Sequence, residues 1–225
     1  MNDLDSDNAR LERASPHERL AFALERFADD LLFTSSFGAQ SAVLLHLWSE
    51  VARDRAVIFL DTGFHFDETL RYRDAIAARL GLDVEIVRPA QDTASFIAEH
   101  GADIQRTNPD FCCQTNKVDP LAGHRARAKG WVSGLRRDQA RTRASLRVLE
   151  RDGHLVKVHP LVTMTATDVR AYMAEHALPE HPLVARRYLS IGCAPCTRAV
   201  ADGEDERAGR WAFSGKTECG LHKAS

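Results

Sequence analysis

Five cysteines dominate the reactive inventory of this 225-residue chain, and four of them form two pairs, Cys112-Cys113 in tandem and Cys193-Ala194-Pro195-Cys196 far downstream. Two separated pairs point to one four-thiolate site. A structural zinc prefers a C-x₂₋₄-C spacing in both halves, because each knuckle wraps its thiolates around one small ion at about 2.3 Å, and adjacent cysteines suit that poorly. An iron-sulfur cube is larger and offers separated iron corners, so neighbouring side chains can ligate different irons when both project to one side. Consecutive residues of an extended strand point to opposite faces, so the tandem pair needs a turn or a helix start. On spacing alone a zinc site, a vicinal disulfide and a set of unrelated buried thiols remain open.

Cys219 differs in kind. It stands near the end of the sequence beside Gly220, which frees the backbone, and among Lys216, Glu218 and His222. A thiol on a flexible tip near cationic groups suits a nucleophile, since the thiolate is the reactive form and neighbouring positive charge stabilises it. The alternative is an incidental thiol.

Anion-binding groups are concentrated in Arg136-Arg137-Asp138-Gln139-Ala140-Arg141-Thr142-Arg143, after a strand candidate, and again at Arg207 and Arg210. Guanidinium forks match phosphate and sulfate oxygens, although a solvated loop is the ordinary alternative for any single arginine. Ser35-Ser36-Phe37-Gly38-Ala39-Gln40-Ser41 joins a strand to a helix, where backbone N–H groups and the helix N-terminus can cradle an anion. It is neither G-x-G-x-x-G nor G-x-x-x-x-G-K-[ST]. Asp61-Thr62-Gly63, at the end of the next strand, is expected to face the same crevice, because open α/β sheets bind ligands outside the carboxyl ends of their strands.

The elements that must position these groups follow from periodicity. The first thirty residues read as an amphipathic helix, with Leu20, Leu24, Phe27 and Ala28 on its apolar side. Strands are expected over Leu31–Ser36, Ala56–Leu60, Val84–Val87, Trp131–Leu135 and Leu155–Val158, and helices over Gln40–Arg53, Asp67–Leu80 and Thr93–Glu99. Gly81 stops the second of these helices and Asp92 caps the third. Strands alternating with helices predict an α/β fold, a doubly wound, mostly parallel sheet covered on both faces. From Arg198 glycines and charges prevail, with Trp211 and Phe213 as the large apolar anchors. The expected division is therefore a body over 1–197 that carries the thiolate site and a mobile C-terminal arm over 198–225 that carries Cys219.

Composition bounds the function. With 30 Lys and Arg against 32 Asp and Glu, the net charge is −2, so no broad field attracts nucleic acid or an anionic membrane, and a bound anion must be held locally. Hydrophobic residues at 44% and charged residues at 28% fit a folded globular chain and exclude a disordered, collagenous or disulfide-scaffold one. Asp3, Asp5 and Asp7 replace the basic region of a secretory signal, and no apolar run approaches the ~20 residues of a membrane span. A reducing, cytoplasmic setting is expected, and an odd cysteine count in such a setting disfavours structural disulfides.

Taken together the motifs resemble those of the assimilatory adenylyl-sulfate (APS) reductases, within the wider APS and PAPS reductase family. The matching stretches are Ser35-Ser36-Phe37-Gly38-Ala39-Gln40, Leu60-Asp61-Thr62-Gly63, Cys112-Cys113 with Lys117-Val118 and Pro120-Leu121, Gly134-Leu135-Arg136-Arg137-Asp138-Gln139, and Ile191-Gly192-Cys193 with Pro195-Cys196-Thr197. Gly203-Glu204-Asp205, Arg207-Ala208-Gly209-Arg210-Trp211 and Lys216-Thr217-Glu218-Cys219-Gly220-Leu221-His222 complete a match running from about residue 31 to residue 222. The resemblance implies a fold of the adenine-nucleotide α-hydrolase type. In place of that group's S-G-G-x-D-S loop stands Ser36-Phe37-Gly38-Ala39-Gln40-Ser41, and the exchanges at Phe37 and Gln40 speak against ATP pyrophosphate cleavage. Ala140 and Asn116 depart from many relatives, and neither exchange is expected to abolish activity.

What the resemblance implies for residues is specific. Cys112, Cys113, Cys193 and Cys196 would hold a 4Fe-4S cluster, and Cys219 would be the nucleophile that takes the sulfonyl group of APS as an S-sulfocysteine. Ser35, Ser36, Phe37, Gly38, Leu60, Asp61, Thr62 and Gly63 would line the adenosine, and Lys117, Arg136, Arg143, Arg207, Arg210 and His222 would meet the sulfate and phosphate. Thioredoxin or a similar dithiol protein would be the reductant, with no nucleic-acid or membrane partner and a homo-oligomer left open. Four cluster cysteines favour APS over PAPS; a PAPS or dual reductase, and a zinc-stabilised nucleotide-binding module without catalysis, are the competing readings.

Overall fold

The N-terminal amphipathic stretch folds as two helices, α1 (Asp3–Leu11) and α2 (Pro16–Phe27), where periodicity alone predicts one. The break is local: proline opens a helix but does not continue one. Ser15 Oγ accepts the Glu18 N–H while the Glu18 carboxylate accepts the Ser15 N–H, a reciprocal cap. Buried Arg19 then ties the pair to the body through the carbonyls of Leu11, Glu12 and Pro160. This computed structural model describes residues 3–222.

Among the described residues six strands follow: β1 (Leu31–Phe33), β2 (Val57–Leu60), β3 (Val84–Val87), β4 (Gly130–Val132), β5 (Leu149–Asp152) and β6 (Leu155–Val158). Strands β1, β4 and β6 pair in parallel, as do β2 and β3. The two groups meet where Thr34 bridges Ile58 and the Ser35 N–H donates to the Ile58 carbonyl at 3.0 Å. The spatial order is thus β3-β2-β1-β4-β6-β5. Strand β5 runs antiparallel to β6 and was not expected; the two-residue Gly153-His154 loop joins them, with Gly153 at φ +61. Both β1 and β4 are shorter than periodicity predicts, because the chain leaves the ladder early to build loops at their carboxyl ends.

Alternation along the strands sends side chains to two separate cores. Phe33, Val57, Phe59, Val132 and Val158 join one with Leu20 of α2, with Val43, Leu45 and Trp48 of α3 (Ala42–Val51), with Ile76 of α4 (Asp67–Leu80), and with Val169 of the last helix. Leu32, Ile58, Leu60 and Trp131 join the other, where Leu121 and Leu221 cover them. Both faces are therefore buried, as a doubly wound sheet requires. The remaining helices are α5 (Thr93–His100), α6 (Ile104–Thr107), α7 (Pro109–Cys113), α8 (Asp119–Arg127) and α9 (Ala166–Glu175). The expected cap signals hold at Gly81, which ends α4 at φ +65, and at Asp92, whose carboxylate accepts the Ser95 N–H. Among the described residues no helix is long and apolar enough to cross a membrane.

The C-terminal segment from Arg198 is docked in this structure. Trp211 is 2% exposed, its N–H donates to the Cys196 carbonyl at 3.1 Å, and the Arg198 N–H donates to Gly209. Docking places the later residues of the segment at the carboxyl ends of β1 and β4, where chain order reverses and a ligand crevice is expected.

One buried histidine gives the fold a pH signature. His181 Nδ1 accepts the Leu183 N–H at 3.2 Å and its Nε2 lies 3.0 Å from Thr69 Oγ1, so the ring is held neutral. Burial lowers its pKa to about 4. A depressed pKa gives stability that is complete above the unfolded value near 6.5 and is lost as pH falls toward 4, at about 1.4 kcal/mol per pH unit. Urea melts between pH 7 and 4 should show that slope added to the like contributions of buried His65 and His159, and His181→Gln should remove its own share of the slope while lowering stability at pH 7. An unchanged slope in the variant would assign the acid sensitivity to another group.

Candidate active site

The tandem cysteines sit where helical geometry can aim both at one place. Helix α7 ends on Cys112-Cys113, a widened π-type turn over Gln114–Val118 follows, and α8 continues the rod. Such bulges reset the side-chain phase of a helix and recur at functional sites. Asn108 starts α7 by accepting the Phe111 N–H, and Pro109 fills its first position. The second pair lies on the short turn Ala194–Cys196 and the residue before it. Cys112, Cys113, Cys193 and Cys196 are all buried and line one small void with Thr62, Asn116, Lys117 and Arg210. Among the described residues, no three His, Cys, Asp or Glu side chains are arranged around a single metal ion.

The donor set nevertheless matches an anionic, thiolate-held group. Burial and the neighbouring Cys193 push the Cys112 thiol up and hold Cys196 up at about 11, so four thiolates cannot coexist there without added positive charge. The surroundings supply part of it. Thr62 Oγ1 stands 3.3 Å from Cys193 Sγ, and the Asn116 side-chain amide donates to Cys112 Sγ at 3.7 Å, contacts of the kind that tune ligated sulfur. Burial depresses the Lys117 ammonium, but the sulfurs of Cys193, Cys219 and Cys113 outweigh that and raise its pKa.

Beside the void lies a cavity of about 240 Å³ at the strands' carboxyl ends. Of the expected substrate-binding residues, Ser35, Ser36, Gly38, Leu60, Lys117, Arg143, Arg207 and Arg210 line it, together with Cys219. Five others are placed elsewhere. Phe37, at φ +49, turns its ring into the core against Phe59. Arg136 is 1% exposed and braces the site from behind, binding Gln40, Asp138 and the Met164 carbonyl. Asp61 pairs with Arg88, Thr62 joins the cysteine void, and Gly63 packs against Thr93. The turn Gly220–His222 includes the backbone of His222, whose side chain lies outside the described residues.

The cavity also holds residues that were not singled out from the sequence as site residues, among them His65, Gln139, Gly192 and Glu218. His65 Nε2 donates to the Leu60 carbonyl, and burial keeps the ring neutral with a pKa of about 4. Burial and the like charge of Arg143 bring Arg207 down to about 10. Arg210 lies flat against Gly192 and over the Trp211 ring at 4.3 Å from its centroid.

The Cys219 sulfur sits between void and cavity. Gly220 brings the tip so close to the tandem helix that a Cβ there would stand 3.2 Å from Val118 Cγ2 and 3.8 Å from Cys113 Cβ. The Cys113 thiol hydrogen-bonds the Cys219 sulfur and, with Lys117, the Leu221 N–H and Arg210, holds its pKa well below the ordinary thiol value. The first of these causes requires a proton on Cys113; the ammonium, the amide and the guanidinium act whatever Cys113 carries. Cys219 is partly exposed, as a reagent thiol must be.

Gly192 is the contact that sets Arg210. A Cβ added there would lie 2.3 Å from Arg210 Nη2 and 2.5 Å from Cζ, so alanine must push the guanidinium aside. Since the displaced group is the end of a flexible side chain, Gly192→Ala should melt close to the parent. Its kcat/KM for sulfite release should fall by about 10²-fold, the cost of a misplacement near 1 Å. Parental turnover in a variant with parental melting would remove Arg210 from the working site.

Comparison with known proteins agrees with this geometry. Residues 30–199 match the phosphoadenosine phosphosulfate reductase domain. The chain is 49% identical over 201 residues to an adenosine 5'-phosphosulfate reductase of Mesorhizobium japonicum, covering 89% of this chain and 79% of that one. It is 43% identical to a phosphoadenosine 5'-phosphosulfate reductase of Gloeobacter violaceus, covering 94% and 90%. A crystal structure of the phosphoadenylyl-sulfate (PAPS) reductase of Candida auris, as a phosphate complex, superposes with a TM-score of 0.75 at 28% identity, over 86% of this chain and 96% of that one. A sheet ordered around a β1/β4 crevice, a thiol at its mouth and matches of this extent lead to one conclusion: the chain belongs to the phosphoadenosine phosphosulfate reductase domain family.

Proposed function

We propose that the protein reduces adenylyl sulfate to sulfite and AMP in assimilatory sulfate reduction, with Cys219 as the nucleophile. The observation that carries this reading is the convergence of the Cys219 sulfur, Lys117 and Arg210 on one cavity at the strands' carboxyl ends. Adenosine lies along Ser35, Ser36, Gly38 and Leu60, and the sulfonyl group points to Cys219. The thiolate attacks sulfur, the bond from sulfur to the bridging oxygen breaks, and its electron pair leaves with AMP. Charge grows on that oxygen, so fixed cations gain more in the transition state than in the ground state, each by about 3 kcal/mol.

An S-sulfocysteine remains at residue 219. A dithiol partner of the thioredoxin type attacks the Cys219 sulfur, sulfite departs, and the second thiol of the partner resolves the mixed disulfide, so the partner ends oxidised and the enzyme thiol is restored. One sulfur must therefore meet an enclosed sulfonyl group and then a bulky protein, which requires the tip that carries Cys219 to open and close on the body of the fold. Cys112, Cys113, Cys193 and Cys196 are the residues that would hold a 4Fe-4S cluster, which when bound supplies a fixed charged centre at Lys117. His222 remains a substrate contact on the strength of the family resemblance.

Incubation with APS in the absence of reductant should add one SO₃ to the peptide containing Cys219, and reduced thioredoxin should then release sulfite. No sulfonate on that peptide would sink the proposal. Relatives of both names match this chain, so a PAPS arm of the same assay measures the second reading, dual use of both nucleotides. Iron with acid-labile sulfide, rather than zinc, is expected in the purified protein.

A further inference from the structure

Two of the arginines expected at the substrate are already engaged by the protein itself. Glu218, the neighbour of Cys219, receives Arg143 Nε on Oε1 at 2.8 Å and Arg143 Nη2 on Oε2 at 2.6 Å. Arg207 Nη2 stands 3.4 Å from the same Oε2, and the Thr142 hydroxyl 3.4 Å from Oε1. Arg143 belongs to the body of the fold, whereas Arg207 lies on the same C-terminal segment as Glu218. The Arg143–Glu218 fork is thus the ion pair that joins the tip to the cavity wall. Its side chains keep only 7% and 16% of their exposure. A two-pronged pair removed from water is strong and directional, and losing one member strands the other charge.

The other tip contacts do less to fix the thiol. Lys216, 6% exposed, pairs with the 62% exposed Asp110 carboxylate and donates to the Pro109 carbonyl at 3.1 Å, so it holds the chain three residues before the thiol to the start of α7 and not the thiol's own neighbour. Leu221 packs into an apolar cluster, which attracts without direction. Arg210, by contrast, has no carboxylate at ion-pair distance among the described residues, and Lys117 faces sulfur atoms. The cations around the cavity therefore divide into a pair that grips the tip and a pair left for an incoming anion.

We propose that Glu218 is a positioning residue: its carboxylate, gripped by Arg143, latches the Cys219 tip over the cavity and leaves Arg210 and Lys117 to act on the substrate. The proposal rests on Cys219 being the reacting thiol. Alkylation of Cys219 by iodoacetamide in the metal-loaded protein, without nucleotide and read by peptide mass spectrometry, should quicken about tenfold in Glu218→Gln and Glu218→Ala, the effect of about 1.4 kcal/mol of lost docking. Hydrogen exchange of the tip peptide should quicken with it. With APS, kcat should drop while KM stays within about threefold, because orientation is lost and binding is kept. The exchange Glu218→Arg with Arg143→Glu should recover slow alkylation that either single change lacks, a coupling that a merely structural role would not produce.

Unchanged alkylation and exchange in both Glu218 variants would overturn the latch. So would a fall in KM at unchanged alkylation, which would make the carboxylate a competitor of the substrate. The alkylation and exchange arms contain no APS, so a parent protein that APS fails to sulfonate defeats the proposed function while these arms still decide the latch.

Discussion

Cys219→Ser should lose sulfite release by about 10⁴-fold or more, because a hydroxyl at this site cannot replace a thiolate as nucleophile and cannot form the sulfur-sulfur bond on which the second half-reaction depends. The remaining tip contacts, Lys216 to Asp110, Glu218 to Arg143 and Leu221 in its apolar cluster, do not involve the Cys219 sulfur. The variant should therefore keep the parent's melting temperature, iron content and affinity for APS. Peptide mapping after exposure to APS should find no sulfonate on the tip. Turnover within tenfold of the parent would remove Cys219 from the chemistry.

Cys193→Ser should fail in the opposite way, losing the proposed cluster and local structure together. Cys193 sits beside Thr62, contributes to the same void as the tandem pair, and precedes the Ala194 N–H that donates to the Phe64 carbonyl at 2.7 Å. Three chain segments depend on that junction. Metal-binding energy is folding energy when the ligands come from distant segments, so a loss of about 4 kcal/mol is expected, worth about 10 °C of Tm at this size. Iron analysis and a thermal melt measure both effects. Full iron in Cys193→Ser would overturn its role as a ligand. Together the two serine variants separate the sulfur that reacts from the sulfurs that bind.

Much of the scaffold was legible because its signals are local. Gly81 and Asp92 mark helix ends through their own backbone and side-chain geometry, and the continuous β-branched and aromatic run Val57–Leu60 announces a buried strand. Two local signals were outweighed by periodicity: Ser15-Pro16-His17-Glu18, which splits the first helix, and Asp152-Gly153, which turns the β5–β6 hairpin. The thiol grouping was also readable, since two separated pairs pointed to one four-thiolate site, and four of the five cysteines line one void.

Distant pairings were not readable. Arg136 and Arg143 occur in one run of sequence, yet the first is drawn inward to Gln40 and Asp138 while the second faces the cavity. The difference is made by segments far away in the chain. Phe37 likewise leaves the anion loop for the core because its backbone turns at φ +49. Glu218 looks like an ordinary charge beside a cysteine until Arg143 stands against it.

Trp211 has a further consequence. Because that ring is sunk in the body and its amide is tied to the Cys196 carbonyl, a departing tip pivots there and not at Arg198. Residues 212–219 then form the tether, and eight residues fully extended span about 27 Å. The Cys219 thiol can travel no farther than that radius. An electron donor must dock on the face of the enzyme surrounding this anchor, so the footprint available to it is circumscribed by a single tryptophan.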